Sequence, residues 1–144
     1  MMRTVLAVTA LALGISTAIA QDPIAARKAL MKENGKQAQL GNKFIKGEEP
    51  FDLAKAKAIF AAYADSATKV QGLFPDTAKT GGETAALPAV WEKKADFNAK
   101  LVKFGEDAKE AQGKVTDEAS FKTVFPTVQK NCGGCHETYR AKKS

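Results

Sequence analysis

Two cysteines three apart, followed directly by the only histidine of the chain, stand in Cys132-Gly-Gly-Cys135-His136. This C-x-x-C-H spacing is the pattern of covalent c-type haem attachment. On a helix, residues three apart lie on one face, so both thiols reach the two vinyl groups of one porphyrin and form thioethers. His136, one residue after Cys135 and four after Cys132, then brings an imidazole nitrogen to the iron from one side of the macrocycle. The two glycines present no side chain to the haem edge. They also weaken a helix by about 1 kcal/mol each relative to alanine, a cost that attachment would offset. One haem c per chain, bound through Cys132 and Cys135 with His136 on the metal, is the expected cofactor.

Three other uses of these residues fit less well. A plain disulfide is the default for a cysteine pair in an oxidising compartment, but it leaves the adjacent His136 unexplained. A thioredoxin-like redox pair sits near a βαβ unit, and the chain shows no period-two alternation. A zinc site needs a fourth ligand from a carboxylate or another chain, because Cys132, Cys135 and His136 exhaust the usual donors.

The rest of the chain bounds the setting. Its 144 residues hold one domain rather than two with separate cores. With 44% apolar and 26% charged residues, neither a disordered nor a fibrous chain fits. The formal charge of +6 is modest and evenly spread, which points to acidic partners or internal anionic groups and away from nucleic acid. Met1 to Ala20 has the form of a cleaved export signal, with Arg3, an apolar run from Val5 to Ile15 and the small-x-small ending of Thr17-Ala-Ile-Ala20. That run falls short of the roughly 20 residues that span a bilayer. The expectation is a periplasmic domain over residues 21–144 with no stable membrane insertion. No second histidine, nucleophile motif or open metal triad suggests an enzyme.

The motif requires a scaffold, and the apolar periodicity supplies four helices. The first runs from about Pro23 to Ile45, with Ile24, Met31, Ala38 and Ile45 seven apart and Arg27, Asn34 and Gly41 near the same stripe. The second covers about Asp52 to Gln71, capped by Asp52, with Ala58, Ile59, Ala62 and Tyr63 facing inward. The third spans about Pro88 to Gln112 on Phe97, Leu101, Phe104 and Ala108, with Gly113 as its stop. The fourth, capped by Thr116 or Asp117, carries Phe121, Phe125, Val128, Cys132, Cys135 and Tyr139 at alternating fours and threes, with Pro126 expected to kink it. Short connections between the first and last pairs, and a longer crossing from Leu73 to Leu87, predict an all-α, antiparallel four-helix bundle.

The mature chain resembles the class II c-type cytochromes, the cytochrome c-prime superfamily. The likeness rests on Cys132-Gly-Gly-Cys-His-Glu-Thr-Tyr-Arg140, on Lys46-Gly-Glu-Glu-Pro-Phe-Asp52 after the first helix, and on the segment from Pro88 through Trp91 to Phe97. It implies a covalently attached haem near the C-terminus of the last helix. It also implies roles on the opposite side of the iron. Counting back from the Lys-Gly-x-x-Pro-Phe-Asp element without a gap, the distal position falls on Met31 and the family's propionate-contacting arginine on Arg27, while Arg140 matches the arginine beside the proximal histidine. Both Met31 and Arg27 suit the low-spin, methionine-ligated branch, which implies single-electron transfer. The high-spin branch has a blocked distal side and a five-coordinate iron that binds nitric oxide or carbon monoxide, and it is the runner-up.

The residues themselves leave these roles open. A thioether on the inward stripe is a competent soft ligand, but stripe position alone favours a core gap-filler. Gly35, one turn later, suits close approach of the haem or a neighbouring helix. Arg140, four after His136, is on the same helical face, and it also suits the last turn's dipole. Lys130, Arg140, Lys142 and Lys143 cluster around the attachment site, where they would steer a redox partner with an acidic docking surface. Trp91 and Phe97 read as packing residues. The resemblance is compatible with a monomer or a homodimer.

Overall fold

The computed structural model describes residues 22–142; the leader expected over Met1 to Ala20, the mature start at Gln21, and Lys143 lie outside the described residues. Helix α1 spans Pro23–Lys46, α2 Leu53–Val70, α3 Ala89–Glu92, α4 Lys94–Lys114 and α5 Glu118–Tyr139. The four long helices form the antiparallel bundle, and α3 is a single turn in front of α4. In the bundle α2 packs on α1 and α4, α4 on α5, and α5 closes back on α1.

The helix ends follow from local chemistry. The Asp22 carboxylate accepts from the Ile24 and Ala25 amides ahead of Pro23 in the first turn of α1, satisfying donors that have no intrahelical partner. Gly47 ends α1 at φ +71°, where a side chain would be strained. Asp52 caps α2 through the Lys55 amide at 2.9 Å. Of the two candidates for α5, Asp117 is the cap, in a reciprocal box with Ser120.

Three expectations about helix limits and faces are corrected. The third helix is not continuous from Pro88, because the chain breaks at Lys93 (φ −117°, ψ 42°). The break separates Trp91, whose indole N–H reaches the carbonyls of Phe74 and Pro75, from Phe97 and Leu101 in the core. Gly113 does not stop α4, which runs to Lys114 and ends at buried, extended Val115. Ala58 is exposed, since the buried stripe of α2 follows Ala56, Ile59, Phe60, Tyr63 and Ala67, and Ala58 lies off that 3.6-residue period. At Pro126 the helix α5 continues, with the ring turned to solvent, so water can satisfy the carbonyl freed one turn earlier.

The core divides in two. At one end Phe44, Phe60, Tyr63, Phe104, Phe121 and Phe125 form a closed aromatic cluster. Burial of each such side chain is worth about 1.5–3 kcal/mol. Gly41 lets α1 approach here: a Cβ on it would stand 2.2 Å from Phe125 Cζ. At the other end Val70, Val90, Phe97, Leu101 and Tyr139 form a smaller cluster with Leu30, Phe74, Trp91 and Cys135 at its edge. This second cluster is the floor of a cavity.

Candidate cofactor site

A cavity of about 580 Å³ opens beside the smaller cluster, within the roughly 300–1,000 Å³ range of cofactor and ligand sites. Helix α1 contributes Arg27, Lys28, Met31 and Lys32; α5 contributes Cys135, His136 and Tyr139, with Arg140 just past its end. Val70, Phe74, Val90, Phe97 and Leu101 supply apolar walls, and Thr84 to Ala86 of the long connection complete them. Five of the six residues singled out in the sequence therefore meet at one cavity from opposite ends of the chain.

The sixth, Cys132, does not line the cavity. Its sulfur lies 3.7 Å from Gln129 Oε1, and the Gln129 amide donates to the buried Tyr63 hydroxyl at 2.8 Å. Both cysteines are free and half-buried. Burial pushes both thiols above their ordinary range. Among the described residues no three His, Cys, Asp or Glu side chains gather into a metal cage.

His136 is half-buried, and burial first, then the neighbouring Arg140 cation, holds its imidazole below the ordinary value. The neutral ring keeps a lone pair available for a metal at neutral pH. Met31 is 37% exposed, so its thioether stands at the cavity rather than filling the core. Among the described residues the cavity wall carries four cations, Arg27, Lys28, Lys32 and Arg140, and no carboxylate. A neutral imidazole, a thioether on a facing helix, a tethering thiol, apolar walls and a cationic rim together fit a haem with its two carboxylates.

Arg27 differs from a free anion receptor. It is 4% exposed, and its guanidinium donates to Leu73 O at 3.0 Å, Ala78 O at 3.0 Å and Thr84 Oγ1 at 2.5 Å. It also lies over Phe74, 4.7 Å from the ring centroid. Burial lowers its pKa, while Asp22 opposes the shift; a guanidinium remains protonated regardless. Three of its five N–H donors are thus spent on the protein itself.

Other expectations change as well. Gly35 is exposed, and no other part of the protein comes within 4 Å of where a Cβ would stand, so no neighbouring helix approaches there; Gly41 is the close-approach glycine of α1. Trp91 and Phe97 pack as expected, both edge-on to Phe74. Lys130, Arg140 and Lys142 are exposed. Sequence reasoning missed Thr84, Gln129 and Asp96. The last accepts from the Tyr139 hydroxyl, and none of the three carries a local motif.

Comparison with known proteins gives a consistent set. A family model described as "Cytochrome C'" matches residues 22–140. A cytochrome c' of Rhodopseudomonas palustris is 46% identical over 133 residues, covering 92% of this chain and 91% of that relative. A cytochrome c-556 of the same species is 32% identical over 148 residues, covering 99% of each. The solved structure of cytochrome c' from Rhodopseudomonas palustris superposes with a TM-score of 0.84 at 45% identity, covering 87% of this chain and all of that one.

Proposed function

The chain belongs to the cytochrome c' family and takes haem c, and from that premise we propose that it carries single electrons, with His136 and Met31 as the residues that would hold the iron. The observation that carries this reading is that Met31 on α1 and His136 on α5 line the same cavity. The haem, when bound, supplies an iron that gains and loses one electron.

The chain's own residues do the rest. Cys132 and Cys135 would tether the group through thioethers, and His136 would offer it a neutral nitrogen. Met31 offers a soft sulfur, which favours the reduced metal and raises the potential. Val70, Phe74, Val90, Phe97 and Leu101 give the cavity apolar walls that suit a porphyrin face. Arg27 would meet a haem carboxylate with positive charge, and Arg140 would lie beside His136. Nothing is turned over, so the protein is a carrier and not an enzyme. It works in the periplasm after loss of residues 1–20, as a monomer or homodimer. It meets acidic redox partners through the basic residues around the cavity.

A second reading draws on the likeness to a cytochrome c' at 46% identity. Were Met31 only part of the cavity wall, an iron left open on that side would bind nitric oxide or carbon monoxide. Absorption spectra of wild type and Met31→Ala, each with and without carbon monoxide, separate the two. Electron carriage requires that only the variant responds to the gas.

A further inference from the structure

Arg27 presents a physical problem, because a buried cation is costly unless it is well hydrogen-bonded, and its three acceptors are all neutral oxygens. Those oxygens belong to residues 46, 51 and 57 positions away, on the long connection between α2 and α3. The connection itself turns sharply, with Gly81, Gly82 and Glu83 all at positive φ. Glu83 is the costly member of the three, since only glycine adopts such angles freely. The turn brings Thr84 back to α1.

From Thr84 the hydrogen bonds continue without a gap toward the cofactor helix. Thr84 Oγ1, the acceptor from Arg27, also accepts from the Ala86 amide at 3.2 Å. Ala86 forms an antiparallel bridge with Arg140. The Leu87 amide donates to Tyr139 O at 3.0 Å, and the Ala141 amide donates to Ala85 O at 2.8 Å. The Arg140 amide closes the last turn of α5 on His136 O at 3.2 Å.

We infer that Arg27 and Thr84 are positioning residues: together they hold segment 84–87 against the end of α5, and so fix the turn that presents His136 and Arg140. An arginine is required because its planar fork reaches three acceptors at once, whereas a lysine keeps the charge and loses the fork. The fastening stands on these contacts alone; its consequence for the haem rests on the reading of His136 given above.

The test uses the haem-loaded mature protein and the variants Arg27→Lys, Thr84→Val and the double. None of them alters the net charge. Two quantities are measured: amide hydrogen exchange at Leu87 and Ala141, and the reduction potential. Each single variant should speed exchange at both amides about tenfold, as expected for loss of a charged hydrogen bond holding a local opening unit. The double should exchange no faster than the faster single, because both changes break one connection. The potential should move in the same direction in Arg27→Lys and Thr84→Val. Unchanged exchange in Thr84→Val, or a double equal to the product of the singles, would overturn the fastening. Faster exchange with an unmoved potential would refute its reach to the His136 turn. Failure of the ligand reading would show separately, in the spectrum of the unaltered protein.

Discussion

The Tyr139 hydroxyl donates to the Asp96 carboxylate, tying the last turn of α5 to the first turn of α4. The same tyrosine stacks edge-on against Phe97 at 5.1 Å and lines the cavity three residues after His136. The C-terminal end of the cofactor helix is thus held by a side chain as well as by the backbone bridge at Arg140.

That contact sets an alkaline limit. Hydrogen bonding to Asp96 pushes the Tyr139 hydroxyl up to about 12, and burial pushes Tyr63 higher still. The unfolded chain releases these protons near 10, so the stabilisation is complete below about pH 10 and is lost as pH rises through about 12. Titration followed by phenolate absorbance should show neither of the two tyrosines ionising at its ordinary value. In Tyr139→Phe the drop in stability between about pH 10 and 12 should shrink. A normal phenolate transition near 10 in the folded protein would contradict the assignment.

The two glycines of α1 should respond oppositely to alanine. Gly35 has open space around it, so Gly35→Ala should stabilise by roughly 0.5–1 kcal/mol through helix propensity. At Gly41 the new methyl meets the Phe125 ring, and overpacking should cost about 1–3 kcal/mol. Denaturant midpoints of the two variants check both signs.

The basic rim should act on association rate. Lys28, Lys32 and Arg140 border the cavity with no carboxylate in its wall among the described residues, although Lys28 also lies 3.6 Å from Glu83. With an acidic redox partner, Lys32→Glu should slow association by about tenfold at low salt, an effect that fades as ionic strength shortens the Debye length. Stopped-flow rates across a salt series measure it. A salt-independent rate would place docking elsewhere.

Much of this was legible in the sequence, for reasons that also explain the failures. Helices were readable because their apolar stripes repeat on their own period, and caps because Asp52 and Asp117 act on amides three residues away. The attachment motif is local for the same reason. The break at Lys93 was hidden because Val90 and Trp91 continue the stripe of α4 by spacing alone. Its cause is the reach of Trp91 to carbonyls 16 and 17 residues upstream. Gly35 and Gly41 are alike in sequence, and only Phe125 on α5 distinguishes them. Thr84 carries no signal because its meaning comes from Arg27, 57 residues earlier. The meeting of Met31 with His136 followed from a family resemblance, since stripe position alone favoured a packed core methionine.

The central claim is tested most directly by the visible absorption spectrum of the purified, haem-loaded protein, oxidised and reduced, before and after carbon monoxide. The account predicts sharp, split visible bands on reduction, a weak sulfur-to-iron band on oxidation and indifference to the gas, with Met31→Ala losing the sulfur band and becoming responsive. A broad high-spin spectrum that shifts with carbon monoxide in the unaltered protein would contradict it and make Met31 a bystander at the cavity.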